Sequence, residues 1–197
     1  MHDSSDEQLM AGFQGGNAAT FDLLFQRYRR PLFTFIYRML AGDRATAEDL
    51  LQEIFLKVLK SRDLYDPRQK FSTWLFAIAR NHCLNALRSK GYREAQDTVS
   101  LDDAESPASP LHQKELMAAE FRLCKIERSE AGRLLETAIQ ALPPAQREVF
   151  LLRAVEGFSH LDTAQMLRLS AGNVRVLYLR ARQLLQKELA RLGWEGV

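Results

Sequence analysis

The sequence predicts an all-α protein of two small helical domains joined by a linker, and three observations carry that prediction. Apolar residues recur at three- and four-residue spacing over almost all of residues 6–89 and again from Leu111 onward, with a pause near ERSEAG, and no run alternates apolar and polar residues as a half-buried strand would. Residues 91–110, GYREAQDTVSLDDAESPASP, combine Gly, Ser, Pro and acid with few apolar side chains, the composition of a linker. Residues 144–187 read as a helix, a short second helix, a Gly-containing turn and a longer third helix, the order of a helix-turn-helix.

In the first domain, residues 1–94, helical spacing is interrupted at QGGN (14–17), at Pro31, at AGDRAT (41–46) and at LYDPRQK (64–70), which predicts four or five helices in one bundle. The segment TAEDLLQEIFLKVLK (46–60) is amphipathic, with Leu50, Leu51, Ile54, Phe55, Val58 and Leu59 inward. Its polar residues Glu48, Asp49, Gln52 and Glu53 gather toward the N-terminal half, where the helix dipole favours carboxylates. That placement serves either the helix itself or a partner surface. The segment FSTWLFAIARNHCLNALRSK (71–90) is a helix with Ser72 or Thr73 as its cap and Ser89, Lys90 and Gly91 at its end. Leu75, Ile78, Ala79, His82 and Ala86 share one arc of it and Phe76, Cys83 and Leu87 the next. Trp74, Asn81, Asn85 and Arg88 fall within about 60° of one another, a stripe of one aromatic, two amides and a cation.

The connector, 95–133, includes a stretch at 111–133 where Leu116, Ala119, Leu123 and Ile126 have the spacing of an extra helix. In the last domain, residues 134–197, Pro143 and Pro144 force a stop and restart of the helical pattern. On the final helix Val174, Leu177, Tyr178, Ala181, Leu184 and Leu185 cover one side, and Arg175, Leu179, Arg180, Arg182, Gln183 and Gln186 the other. Only the second side is free for a partner, and its chemistry suits a major groove. Arg bonds two acceptors of guanine, Gln pairs with adenine, and Leu179 or Val176 can lie against a thymine methyl. Arg175, near the helix start, is best placed for bases, with Arg180 and Arg182 at phosphates or edges.

The 46% apolar and 26% charged composition over 197 residues is that of a soluble globular chain and excludes disorder throughout. A formal charge of +2 hides an asymmetry. Residues 96–110 hold four acids and no Lys or Arg, whereas residues 166–191 hold Arg168, Arg175, Arg180, Arg182, Lys187 and Arg191 against Glu188 alone, which points to a polyanionic partner. The start, MHDSSDEQLM, lacks a basic region followed by an apolar run, and nowhere do 18 consecutive apolar residues occur, so a cytoplasmic protein without membrane insertion is expected. Cys83 and Cys124 stand alone and outside any metal-ligand spacing, so reduced thiols are expected. His82 and Cys83 are adjacent, but helix neighbours point about 100° apart, which argues against a shared metal. No nucleotide loop, HExxH or Ser/His/Asp arrangement is found, so neither an enzyme nor a cofactor is expected.

Taken in order, AEDLLQEIFLKVL, FSTWLFAIARNHCLNALR, an acidic linker, LPPAQREVFLLRAVEGFS and GNVRVLYLRARQLL resemble a bacterial RNA polymerase sigma factor of the extracytoplasmic-function group, within the sigma-70 superfamily. The likeness covers roughly residues 17–94 and 134–190. It implies that the first domain is sigma region 2 and the last sigma region 4, and that the chain binds core RNA polymerase and promoter DNA under the control of an anti-sigma factor. By the same resemblance Asp49, Leu50, Gln52, Glu53 and Phe55 dock on the clamp helices of the large polymerase subunit. Trp74, Asn81, Asn85 and Arg88, with the loop 63–71, take the melted minus-ten strand. Arg175, Leu179, Arg180, Arg182 and Gln183 read the minus-thirty-five element, and the linker threads the polymerase channel. Such a stripe also makes sense unaided, because aromatic and amide groups stack on and bond to an unstacked base. The chain departs from the family pattern at Val176 and Leu177, where a small polar residue and an Arg are usual, at HLDTA (160–164), and in the length of 111–133. Two other readings remain: a stand-alone helix-turn-helix regulator, which would bind duplex DNA without polymerase, and a sigma-mimicking interaction module, which would bind no DNA.

Overall fold

A computed structural model describes residues 4–89 and 130–194, and these are helical, with no strand among them. The chain divides into two compact units, Met1–Ala95 and Gln96–Val197. Residues 91–110, the expected helix at 111–133 up to residue 129, and Cys124 all lie outside the described residues.

The first unit is a bundle of four helices: α1 (Asp6–Gln14), α2 (Ala18–Met39), α3 (Arg44–Lys60) and α4 (Phe71–Ser89), with a 3₁₀ turn at Arg62–Leu64. Local chemistry starts the first three. Ser5 and Gln8 form a reciprocal capping box on α1, the Asn17 side chain accepts from the Ala19 N–H, and Asp43 accepts from the Thr46 N–H. The α1–α2 corner is tight: a Cβ on Gly12 would sit 3.0 Å from Cγ2 of Thr20, and Gly16 takes φ +94°. Leu24, Leu32, Phe35, Ile36, Ile54, Val58, Leu75, Phe76 and Ala79 fill the core, with the Phe35 and Phe76 rings edge to face at 5.3 Å.

Two sequence expectations fail here for physical reasons. Pro31 does not break the chain; α2 runs through it for 22 residues. An interior proline costs about 3 kcal/mol, but Leu24 on one side and Leu32, Phe35 and Ile36 on the other are all fully buried, and their packing outweighs that cost. Neither Ser72 nor Thr73 caps α4, which begins at Phe71 and holds Thr73 buried in its first turn. The cap comes from another helix: the Phe71 N–H donates to Oε1 of Glu7 in α1 at 3.1 Å.

The second unit packs α5 (Glu130–Gln140), α6 (Pro144–Phe150) and α7 (His160–Leu167) against α8 (Ala171–Arg191). Pro143 precedes α6 and Pro144 opens it, where a missing N–H costs nothing. The first helix of the expected helix-turn-helix widens at Leu151–Val155 into a π turn, in which the Glu156 N–H donates to the Leu151 carbonyl at 3.0 Å. Arg153 then ties the turn down: its guanidinium donates to the Phe158 carbonyl and lies 5.5 Å from the Tyr178 ring centre on α8. The reversal into α8 does not use Gly172, which lies inside its first turn. It uses Arg168 at φ +56°, an unusual residue for the left-handed region. Ser170 then caps α8 by accepting from the Asn173 N–H.

Candidate nucleic-acid and protein interfaces

Alanine, leucine and aromatic residues bury one side of α4 and leave the polar stripe outside. Asn81, Asn85 and Arg88 are exposed and Trp74 is half-buried, so all four predicted residues share one accessible face. The three polar side chains make no hydrogen bond among the described residues. At its upper end the stripe meets the loop 62–70 through aromatic rings tilted against one another: Trp74 lies 5.2 Å from the Tyr65 ring and 6.0 Å from Phe71.

That loop is internally tied. The Tyr65 hydroxyl donates to the Gln69 carbonyl at 2.6 Å, and Arg68 forks onto Asp66 through Nε and Nη2 at 3.0 and 2.7 Å. Burial, and then the carboxylates of Glu7, Asp66 and Asp6, push the Tyr65 phenol up to about 12. The Arg68 guanidinium, followed by the Arg68 N–H, holds the Asp66 carboxyl at about 2. Leu64, at 79% exposure, projects from the loop with no packing to explain it. Sequence reading named the loop only as a segment, without Leu64, Tyr65 or Arg68. Leu64 was detectable, since a large apolar residue between Asp63 and Tyr65 stood outside any helical arc.

On α3 the expected surface separates into two layers. Asp49, Gln52 and Glu53 are exposed. Leu50 and Phe55 are only 7% and 5% exposed; they belong to the core and support the face from beneath. Phe55 packs its ring 4.7 Å from Phe25. The apolar residue that does reach the surface is Leu56, at 53%, one turn beyond Gln52 and Glu53, with Leu59 beside it rather than inward. Oε2 of Glu53 stands 3.6 Å from Nδ1 of His82 on α4. His82 therefore turns toward α3 while Cys83 is fully buried, so the adjacent pair does not converge. Among the described residues no group of three His, Cys, Asp or Glu side chains is arranged to hold a metal.

In the second unit α8 buries Val174, Leu177, Tyr178, Ala181, Leu185 and Leu189. Leu184, expected inward, is exposed. The exposed face is centred on Leu179 and Gln183, with Arg175 and half-buried Arg182 along one edge. Arg180 lies about 140° round from Arg175, on the opposite edge with Lys187. The result is an apolar and amide centre between two basic rails. Leu177, standing where an Arg is usual, is buried and packs rather than reaching a phosphate. His160, at the start of α7, has its ring edge-on to Tyr178 at 6.3 Å. Burial, then the charges of Arg153 and Arg175, push it down to about 4, so it is neutral at pH 7.

A helical bundle bearing an exposed amide and cation stripe, together with a helix-turn-helix bearing a railed recognition helix, defines a two-module DNA-binding transcription protein. Comparison with known proteins agrees. Residues 24–93 match the family described as sigma-70 region 2, and residues 132–185 match sigma-70, region 4. The RNA polymerase sigma-H factor of Pseudomonas aeruginosa is 32% identical over 187 residues, covering 95% of both chains. The sigma factor CarQ of Myxococcus xanthus is 33% identical over 94% of this chain and 98% of its own. Among solved structures, CnrH in complex with the cytosolic domain of CnrY superposes with a TM-score of 0.67 at 24% identity, covering 95% of this chain and 99% of that one. The sigma factor RpoE in complex with the anti-sigma factor NepR from Bartonella quintana gives 0.61 at 25% identity over 86% of this chain and 96% of that one. The chain belongs to the extracytoplasmic-function sigma factors of the sigma-70 family. Its function is that of the family: it binds core RNA polymerase and directs promoter recognition, melting and initiation.

Proposed function

We propose that the work is divided among three surfaces, in a chain parsed as region 2 over 1–94, connector over 95–133 and region 4 over 134–197. Trp74, Asn81, Asn85 and Arg88 take the melted minus-ten strand together with the loop 62–70. The half-buried indole offers a stacking face, and the amides and the cation offer bonds to base edges and phosphate. Gln183 and Leu179 lie toward bases of the minus-thirty-five duplex, Arg175 reaches in from the helix start, and Arg180 and Arg182 hold phosphates on either side. Asp49, Gln52, Glu53 and Leu56 form the docking face for the clamp helices of core polymerase, an acidic rim about one apolar anchor.

The observation that carries this reading is the polar stripe of α4. Three side chains without a hydrogen bond among the described residues continue an aromatic cluster, on a helix otherwise packed into a core. A duplex-only reader has no use for it. The chain acts without catalysis of its own, in the cytoplasm; no helix among the described residues is long and apolar enough to cross a membrane. An anti-sigma protein controls it by covering the polymerase-docking face, a proposal supported by the RpoE structure, whose partner is such a factor.

Run-off transcription with purified core polymerase on a pool of randomised promoters, with and without this protein, tests the assignment. New transcripts sharing an upstream and a downstream element are expected, with tight duplex binding only in the presence of core. Equal duplex binding without core would replace this reading with a stand-alone regulator.

A further inference from the structure

α1 lies ahead of the region 2 match, which begins at residue 24, yet its polar side chains reach both ends of the loop that the preceding reading gives to the melted strand. Gln14, its last residue, is half-buried. Both protons of its amide are used on that loop: Nε2 donates to the Arg62 carbonyl at 2.8 Å and to the Tyr65 carbonyl at 3.0 Å. The two carbonyls bracket the 3₁₀ turn that carries Leu64. At the far end Glu7 accepts from the Phe71 N–H at 3.1 Å and so fixes where α4 begins, three residues before Trp74. Beside Gln14 the Phe13 ring receives the Arg62 guanidinium at 5.5 Å. Between these anchors the loop is closed on itself, with Tyr65 bonded to Gln69 and Arg68 to Asp66, so it moves as one piece. Its placement beside Trp74 therefore depends on what holds its ends.

We propose that α1 is the positioning element of the minus-ten reader, with Gln14 setting the loop and Glu7 setting the first turn of α4. Neither residue touches DNA; each acts through the pocket formed by the loop, Tyr65 and Trp74. This rests on the assignment of that pocket to the melted strand. A recognition pocket has to be held to within about 0.5 Å to discriminate among bases. Without the Gln14 amide, two carbonyls lose their donors and the loop takes other positions. Base discrimination then falls, while core binding on α3 and upstream recognition on α8 are untouched.

The test is selection of transcribed sequences by holoenzyme from a promoter pool randomised at both elements, using the full chain and four variants. Gln14→Met keeps length and packing but has no donor. Glu7→Ala removes the acceptor, and Glu7→Gln restores a neutral one. Leu50→Ala serves as a destabilised control, weakened in the core without touching the loop. Expected is a three- to tenfold loss, roughly, of preference at downstream positions in Gln14→Met and Glu7→Ala. Upstream preference and affinity for core should be unchanged, Glu7→Gln should recover the parental pattern, and Leu50→Ala should lower yield without altering either preference. Parental discrimination in both Gln14→Met and Glu7→Ala would overturn the proposal while leaving the strand assignment standing. Lower yield with both preferences kept, matching the destabilised control, or an equal loss of preference at both elements, would make α1 merely structural and overturn it too. A parent protein with no downstream preference at all would remove the pocket assignment, and the positioning role with it.

Discussion

Replacing Asn81 with Ala separates strand contact from folding, because none of the described residues bonds to that amide. The side chain is exposed and has no hydrogen bond among the described residues, so the change in stability should stay within about 0.5 kcal/mol. In the open complex the same side chain would bond to an unstacked base. Losing one neutral hydrogen bond costs about 0.5–1.5 kcal/mol, roughly two- to tenfold in the equilibrium for promoter opening. Trp74→Ala should behave differently. The loss of a stacked base costs about 1–3 kcal/mol. The indole also packs against Tyr65 at 5.2 Å and Phe71 at 6.0 Å, so part of its loss falls on the fold at about 0.5–1.5 kcal/mol per aromatic pair. Thermal unfolding of the free protein and permanganate reactivity of thymines in the holoenzyme complex measure the two effects apart. Expected are an unchanged Tm with reduced opening for Asn81→Ala, and losses of both for Trp74→Ala. Parental opening by Asn81→Ala would remove that residue from the strand path, and a lowered Tm would refute the premise that its side chain is idle in the fold.

Four further outcomes are expected. Leu56→Ser should weaken binding to core polymerase severalfold in a pull-down titration without lowering Tm, whereas Leu50→Ala, emptying a core position, should cost about 2–5 kcal/mol in denaturant unfolding. Arg180→Ala should weaken upstream duplex binding evenly across sequences and flatten the plot of log affinity against log salt by about 0.9, one phosphate contact. Thr163, fully buried with a hydroxyl that has no partner among the described residues, should gain about 1 kcal/mol as Thr163→Val, read as a higher Tm. His160 is held down to about 4 from an ordinary 6.5, so the unfolded chain takes up its proton first. Stability should therefore fall as pH drops from 6.5 toward 4, and His160→Gln should flatten that part of the pH–Tm curve.

Helical period alone located α1, α3 and α4 to within a few residues, and α2 apart from the break expected at Pro31, because each buries a continuous arc and that arc is written at local spacing. The errors arose where distant residues decide. Pro31 obeys tertiary packing from Leu24 and Leu32 rather than its own propensity, and the α4 cap is Glu7, 64 residues upstream of its partner. Gln14 bonds to carbonyls 48 and 51 residues away, a pairing no local pattern encodes. On α3 the wheel rightly placed Leu50 and Phe55 inward but was coarse at its edges, so it placed Leu59 inside; the family resemblance counted those two buried side chains with the docking residues, whereas the apolar side chain exposed beside them is Leu56. The turn before α8 misled because Gly172 is the usual occupant type for a left-handed position, while Arg168 takes it here.

The burial of Leu177 redistributes what the recognition helix can do. A cation at that position would stand at the border of the buried arc and add a phosphate contact; a leucine there is 4% exposed and adds to the core of the second unit instead. On the proposed assignment, phosphate binding on α8 would then fall to Arg175 and Arg182 on one edge and Arg180 and Lys187 on the other, with discrimination left to Leu179 and Gln183 between them. Each missing phosphate contact lowers the electrostatic share of affinity, so an upstream element held this way binds weakly by itself. Tethering such a module to a second weak reader raises the effective concentration of each for its own element without a new contact. Under that arrangement a defect in either reader should be felt at both, except in base preference, which stays local to the pocket that makes it. Selected sequence preference, rather than overall promoter strength, is therefore the observable that tells the stripe of α4 and the face of α8 apart.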